Sequence, residues 1–235
     1  MCVSSSIVVQ TLEMGFIGQL GTQHLAAITF TFPLTMLLTS IALGISIGTS
    51  SVISRSVGSG DRSDVARLGT HSLLLVAIAM AILSVITWLS VDSIFAVIGV
   101  PAATMPLIHS YLDIYLPGTV LFTLTMIAGS IMRANGNAAI PGIVMTVGAG
   151  INLILDPILI FGWFGLPRLE LAGAALAMTL TRVGTTLVML YYVYNGNMIL
   201  RSRLTRGMMT SVRRILHVGI PAMATQLIGP VNAVM

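Results

Sequence analysis

Charged residues are scarce in this sequence. Only 8% of the 235 residues are Asp, Glu, Lys or Arg, and lysine is absent. A soluble domain carries about a quarter of its residues as charges, which cover its surface. Since 56% of the residues are hydrophobic, a water-soluble protein is excluded and most of the outer surface is expected to face lipid. The composition therefore predicts an integral membrane protein.

Residues that carry enzyme chemistry are also few. The single cysteine, Cys2, excludes internal disulfide bonds. The four histidines are scattered without metal-ligand spacing, and we interpret them as loop or interface residues. The segment SRSVGSGDRSDVARLG lacks the Lys-Ser/Thr of a phosphate-binding loop, and a turn with Asp61 or Ser63 as a helix cap explains it better. We therefore predict that the protein is not an enzyme and binds no cofactor.

The hydrophobic stretches have the length of membrane-spanning helices. Spanning the hydrocarbon takes about 20 apolar residues, and a run such as LLLVAIAMAILSVI lacks the period-two alternation of a β-barrel. The predicted spans cover residues 3–18, 25–53, 69–90, 106–131, 138–163 and 171–194, and a seventh begins near Ile215. The fold class is thus an all-α integral membrane protein with six spans and the start of a seventh.

The arginines alternate between loops. Arg55, Arg62 and Arg67 follow the second span, Arg133 follows the fourth, and five further arginines follow the sixth. The loops after the third and fifth spans hold only Arg168. Cytoplasmic loops of membrane proteins carry the excess of positive charge, so the N-terminus is predicted to be cytoplasmic. The arginines that give the net charge of +4 therefore indicate the orientation in the membrane. We predict no nucleic-acid partner.

One pair of polar residues stands out within the fifth span. Asn152 and Asp156 are four residues apart, so a helix places them on one face. Pro157 removes a backbone donor and leaves a nearby carbonyl unpaired. Placing a charge in the membrane costs at least ~2.5–3.5 kcal/mol, so such a residue is a functional candidate by default. These oxygen atoms suit a hard cation, and the carboxylate could instead take up a proton.

Three other ionisable residues lie in or near the spans. Glu13 lies at a depth comparable to that of Asp156, so the two acids could share one site. Alternatively, Glu13 faces lipid headgroups and Asp156 is hydrogen-bonded to a neighbouring helix for packing only. Arg182, near the midplane, could pair with Asp156 or Asp113, line a polar cavity or contact a substrate. Asp113 is predicted to lie at the membrane interface.

Five segments in order carry a resemblance to a known family: GQLGTQHLAAI, GISIGTSSVISRSVGSGDRSDVAR, RANGNAAIPG, NLILDPILIFG and LAGAALAMT. The chain resembles the multidrug and toxic compound extrusion (MATE) transporters. The resemblance implies two six-helix lobes in the bacterial inner membrane, and export of organic cations or drugs in exchange for H+ or Na+. It makes residues 1–197 the N-terminal six-helix lobe, 198–214 a cytoplasmic linker and 215–235 the start of the C-terminal lobe. On the matching positions, the coupling-ion site is Glu13, Asn152 and Asp156.

The sequence departs from the family pattern in three respects. The acid of the first span is commonly Asp, whereas LEMGFIG gives Glu13. The motif GAAxAT reads GAALAMT here, so Met178 takes the threonine position and Thr179 follows it. Thr179 and Arg182 are therefore only secondary candidates for the site. The chain also corresponds to the N-terminal half alone, so its expected partners are a C-terminal lobe of the same protein, the bilayer and a small-molecule substrate.

Three alternatives stay open. A lipid-linked precursor flippase of the same superfamily would carry several cationic residues in its cavity, where only Arg182 qualifies here. A non-transporting membrane scaffold would tolerate neutralisation of Glu13 and Asp156. A half-transporter that dimerises would not need the start of a seventh span.

Overall fold

The computed structural model describes residues 15–162, 169–199 and 207–234, the last eight of these as backbone only. Six long helices make up nearly all of this part of the chain, and no strand occurs in it. They are α1 (Thr22–Gly58), α2 (Arg62–Ile98), α3 (Met105–Ala134), α4 (Ala139–Phe161), α5 (Glu170–Asn195) and α6 (Met208–Val234). Residues 15–18 are also helical and belong to the predicted first span.

Helices α1 to α5 are long and apolar enough to cross a membrane. Many of their exposed side chains are large and apolar, such as Leu89, Val97 and Leu187. An apolar outer surface is stable only against lipid, because no water-soluble protein exposes so many large hydrophobic residues together. The prediction of an all-helical, multi-pass membrane protein is confirmed.

The helices are longer than the predicted hydrophobic spans. Arg55 lies inside the last turn of α1, while Arg62 and Arg67 lie in the first turns of α2, so the connecting turn consists of residues 59–61 alone. The short turn expected from the sequence is thus observed, while α1 and α2 extend beyond the predicted spans 25–53 and 69–90. Asp61 is the N-terminal cap of α2, because its carboxylate accepts a hydrogen bond from the Asp64 backbone N–H at 3.0 Å. This bond and one from the Ser63 hydroxyl lower the pKa of Asp61 below its usual range.

Helix α6 likewise begins at Met208, earlier than the predicted start near Ile215. Arg213 and Arg214 therefore lie on a helix, and the division at residues 197 and 214 stays a prediction. The helix ends that carry Arg55, Arg62, Arg133, Arg213 and Arg214 lie together, and we call this end of the bundle the basic end.

Glycines bring two pairs of helices into backbone contact. A Cβ atom on Gly48 of α1 would lie 2.5 Å from the Ile215 carbonyl oxygen of α6. A Cβ on Gly173 of α5 would lie 2.5 Å from the Leu159 carbonyl oxygen of α4. Small residues drive such approaches in membranes, where packing replaces the hydrophobic effect. Both glycines of GISIG therefore pack against α6, whereas in TVGAG only Gly148 is packed and Gly150 faces open space.

Helix α3 occupies the centre of the bundle and is joined to its neighbours by hydroxyl groups. The hydroxyls of Ser46 and Ser130 lie 2.6 Å apart between α1 and α3. Those of Thr125 and Thr186 lie 2.8 Å apart between α3 and α5. Such bonds fix the rotation of each helix, because an unpaired hydroxyl in hydrocarbon is unfavourable. The rotation of α4 and α5 in turn decides where the polar residues of the fifth and sixth spans point.

Candidate functional site

Asn152 and Asp156 form a buried pair on α4. The Asn152 amide Nδ2 donates to Asp156 Oδ2 at 2.9 Å. Asp156 is completely buried and Asn152 is 6% exposed. The four-residue spacing therefore places both side chains on one face, as the sequence predicts, and that face points into the protein. Asp156 lies five residues before the end of α4, which is about 8 Å from that end.

Two oxygen atoms of this pair have no hydrogen-bond partner among the described residues. They are Asn152 Oδ1 and Asp156 Oδ1, both fully inaccessible. A third acceptor lies one turn away, because Pro157 has no N–H to give to the Leu153 carbonyl. Buried polar atoms are normally satisfied by a partner. Carboxylate, amide and carbonyl oxygens are ligands of the kind that a hard cation takes, and a carboxylate can take up a proton.

Glu13, the second acid of the predicted site, lies outside the described residues. The nearest described part of the first span is the helical segment 15–18. There the ring of Phe16 packs edge-on against Phe161 at the end of α4, with 6.2 Å between ring centres. The end of the first span therefore contacts the end of α4 that is nearer to Asp156.

Among the described residues, Arg182 is not paired with Asp156 or Asp113, the two partners considered in the sequence analysis. Its guanidinium lies 4.8 Å from the ring centre of Tyr115 and 5.1 Å from that of Phe122, both on α3. Within the described part of the chain, neither Asp156 nor Asp113 lies within ion-pair distance of it. Asp113 instead accepts from the Trp88 indole N–H at 2.8 Å. Arg182 thus has a favourable contact with aromatic faces but no described counter-ion.

The two terminal nitrogens of the Arg182 guanidinium differ in their contacts. Its Nη2 lies 3.6 Å from the sulfur of Met178, and its Nη1 is buried without a partner among the described residues. The Thr179 hydroxyl donates to the Ile114 carbonyl of α3 at 3.3 Å. Thr179, a secondary candidate from the sequence, is therefore engaged with α3.

The sequence analysis missed three contacts. His71, predicted as a loop or interface residue, is fully buried in α2 and bonded to Ser211 of α6 at 2.8 Å, so that interpretation is wrong. His24 of α1 contacts Glu170 of α5 at 3.0 Å. The contact of Arg182 with its two rings was also missed, and it alone left a trace in the sequence. Tyr115 and Phe122 are seven residues apart, so they share one helical face.

Asp64 is the third of these contacts, and it links three helices at the basic end. It accepts from the Ser56 hydroxyl of α1 at 2.8 Å, from Arg67 of α2, and from Arg214 Nη1 of α6 at 3.1 Å. No spacing in the sequence indicates a contact between residues 64 and 214.

A cavity of about 300 Å³ lies between α1, α3 and α6. Phe32, Tyr115, Thr35, Ser40 and Gln226 are among its lining residues. Its mixture of rings, hydroxyls and an amide is typical of a pocket for a small organic molecule. Tyr115 connects this cavity to Arg182, because the same ring lines the one and contacts the other.

Comparison with known proteins identifies the family of the chain. Residues 2–158 match the MatE family model. The chain is 37% identical over 223 residues to a protein of Shewanella oneidensis named FAD transporter, covering 94% of this chain and 49% of that protein. It is 29% identical over 221 residues to the multidrug export protein MepA of Staphylococcus aureus, covering 92% and 48%.

Solved structures agree with this result. The MATE transporter VcmN of Vibrio cholerae in its bent form superposes with a TM-score of 0.92 at 30% identity, covering 99% of this chain and 52% of that one. A transporter of the MOP superfamily from Pyrococcus furiosus gives 0.85 at 27% identity, covering 96% and 50%. The chain thus spans about half the length of the relatives it matches.

Proposed function

Because the chain belongs to the MATE family of membrane transporters, which are not enzymes, we propose that it forms the N-terminal lobe of a secondary active antiporter. This antiporter exports organic compounds, often cationic, in exchange for H+ or Na+. The observation that supports the proposal most directly is the buried Asn152–Asp156 pair with its two free oxygen atoms.

The coupling ion binds, in this proposal, between Glu13 of the first span, Asn152 and Asp156. Occupation of the site favours one packing of the first span against α4 and α5, and binding of the exported compound favours the other. A ligand shifts such an equilibrium only through its different affinity for the two states. A carboxylate buried in the membrane meets that condition, because its charge is strongly disfavoured until a cation neutralises it.

The proposed setting is the bacterial inner membrane, with the basic end of the bundle in the cytoplasm according to the positive-inside rule. The C-terminal lobe of the same protein is the proposed partner, and the cavity beside Tyr115 would face it. FAD and drugs, which the relatives are named for transporting, are candidate compounds for this cavity. The lipid-precursor flippase is less well supported, because Arg182 is the one arginine midway along a described helix.

The test is the replacement Asp156→Asn in the full-length transporter, reconstituted in vesicles and assayed for export of ethidium and FAD. We expect ion-driven export to be lost while the amount of folded protein is unchanged, because the amide keeps the size but has neither the negative charge that attracts a cation nor an oxygen that takes up a proton. Asp113→Asn is the matched control, since Asp113 is an acid bonded to an exposed Trp88. Full export by Asp156→Asn would instead mean that the ion couples at another site, whereas absence of export from the unmodified protein as well would favour the scaffold.

A further inference from the structure

Arg182 carries a positive charge that no described residue neutralises. Its guanidinium cannot lose its proton in a protein, and its described contacts are the rings of Tyr115 and Phe122 and the Met178 sulfur. None of these groups is anionic. A charge inside a membrane is unfavourable, so a residue of this kind is a candidate for a functional site by default.

Arg182 lies on the face of α5 that points into the bundle. Ala175 and Met189, seven residues before and after it, share that face and are at most 1% exposed. Arg182 is partly exposed, although both of these neighbours along its face are buried. Its accessible part therefore faces the interior of the bundle and not the surrounding lipid.

Gly118 of α3 makes room for the guanidinium. A Cβ atom on Gly118 would lie 3.3 Å from Arg182 Nη1. The rings of Tyr115 and Phe122 lie about one turn before and after this glycine, on the same face of α3. The one hydrogen bond described for the guanidinium goes to a sulfur, which is a weak acceptor. The group is thus held in place by packing, and most of its capacity to donate hydrogen bonds is unused.

The Tyr115 ring joins Arg182 to the cavity between α1, α3 and α6. The guanidinium carbon lies 4.8 Å from the centre of this ring, and the same residue lines the cavity. The positive charge therefore lies beside one of the cavity walls. The lining also includes the Phe32 ring, the Ser40 hydroxyl and the Gln226 amide, which suit an aromatic compound with polar groups.

The helices that line this cavity carry almost no negative charge. Helices α1 and α6 contain no Asp or Glu, and α3 contains only Asp113, whose carboxylate accepts from the Trp88 indole N–H. A unit charge about 10 Å away changes the affinity for a charged compound roughly tenfold at an effective dielectric constant of about 20. The charge of Arg182 therefore favours an anionic compound over an uncharged one of the same shape.

We propose that Arg182 binds a phosphate or carboxylate group of an aromatic compound that the transporter exports. The proposal rests on the proposed function and adds a class of compound to those that the antiporter carries. A planar guanidinium donates two parallel hydrogen bonds to the oxygens of such a group. The aromatic part of the compound lies in the cavity, against the rings of Phe32 and Tyr115. The anion supplies the counter-charge that the described residues do not.

Equilibrium binding of riboflavin and riboflavin phosphate (FMN) to the purified full-length transporter tests the proposal. The two fluorescent probes share one aromatic ring system and differ by a phosphate group. We expect the unmodified protein to bind FMN at least about tenfold more tightly than riboflavin. Arg182→Gln should abolish this difference by weakening FMN binding alone, because the amide has no charge. Arg182→Lys keeps the charge without the paired donors and should retain part of the difference.

Arg213→Gln is the control, because it removes an exposed arginine on α6, and it should leave both affinities unchanged. Equal affinities of the unmodified protein for the two probes, or binding of neither, would overturn the proposal whether or not Arg182→Gln folds. FMN binding that Arg182→Gln leaves intact would overturn it too. An equal loss of both probes in folded Arg182→Gln would assign Arg182 to the packing of the bundle and contradict the proposal.

Two further outcomes separate this proposal from its neighbours. Full displacement of FMN by phosphatidate in mixed micelles would assign Arg182 to a lipid headgroup and overturn the proposal. The binding measurement needs no ion gradient, so Asp156→Asn should keep the preference for FMN. Retained export by Asp156→Asn would remove the proposed ion coupling, whereas loss of the FMN preference in Arg182→Gln would still support the anion site.

Discussion

At the scale of single residues, the account centres on how Asn152 holds Asp156. The amide of Asn152 is the hydrogen-bond donor described for this carboxylate, and both groups are buried. The pairing could be predicted from the sequence, because residues four apart meet on any helix. The partners of Arg182 could not, because the direction of a long side chain depends on which neighbouring helix lies within reach.

Replacing Asn152 by Leu should therefore destabilise the protein and impair ion coupling together. The change leaves the Asp156 carboxylate without its donor, and a buried unsatisfied polar group costs about 1–3 kcal/mol. Thermal unfolding of the full-length transporter in detergent would measure the loss of stability, and export from vesicles would measure coupling. Asn195→Leu, at the exposed end of α5, is a control away from the site. Unchanged unfolding and export in Asn152→Leu would show that the amide does not support Asp156.

At the scale of helices, the contacts between α1 and α6 depend on the absence of side chains. Hydrophobic runs in the sequence were enough to predict each helix. They did not predict the helical turns that extend each helix beyond its apolar run. Arg55, Arg62 and Arg67 continue the helices because arginine is a good helix former, and only a cap such as Asp61 ends the segment. The sequence also could not show which glycines contact a neighbouring helix, since GISIG and TVGAG look alike.

Gly48→Ala should destabilise the bundle, whereas Gly150→Ala should not. The new Cβ of the first variant would lie 2.5 Å from the Ile215 carbonyl oxygen, and that of the second would meet nothing within 4 Å. Overpacking of this kind costs about 1–3 kcal/mol, while alanine in an open helical position gains up to about 1 kcal/mol. The melting temperatures of the two variants provide the comparison. Equal melting temperatures would argue that α1 and α6 do not pack as described.

At the scale of the whole molecule, Asp64 links α1 and α2 to α6, the helix with which the proposed second lobe begins. Hydropathy predicted the membrane class and the five spans that the structure describes as α1 to α5, and arginine placement predicted that one end of the bundle is basic. They gave no information on how α6 docks, because that contact joins residues 150 positions apart. Its two ends, Asp64 and Arg214, lie near the surface of the bundle, so the bond is modest in energy and sensitive to salt.

Arg214→Gln should loosen the start of α6 by a few tenths to about 1 kcal/mol. Amide hydrogen exchange of residues 208–214 in the full-length transporter should become faster, and added salt should reproduce part of the effect in the unmodified protein. Arg213→Gln removes the same charge one residue earlier, where the side chain is exposed, and should leave exchange unchanged. Identical exchange in both variants would mean that the Asp64–Arg214 bond does not hold α6.

The distance between the Glu13 and Asp156 carboxyl groups tests the central claim most directly. An experimental structure of the full-length transporter would give this distance. The account predicts that the two groups face each other across one polar pocket, within about 6 Å, the range at which charges act strongly on each other, so that one small cation or proton serves both. Side chains that point apart, with Glu13 toward lipid or solvent and Asp156 bonded only within the helix bundle, would contradict it.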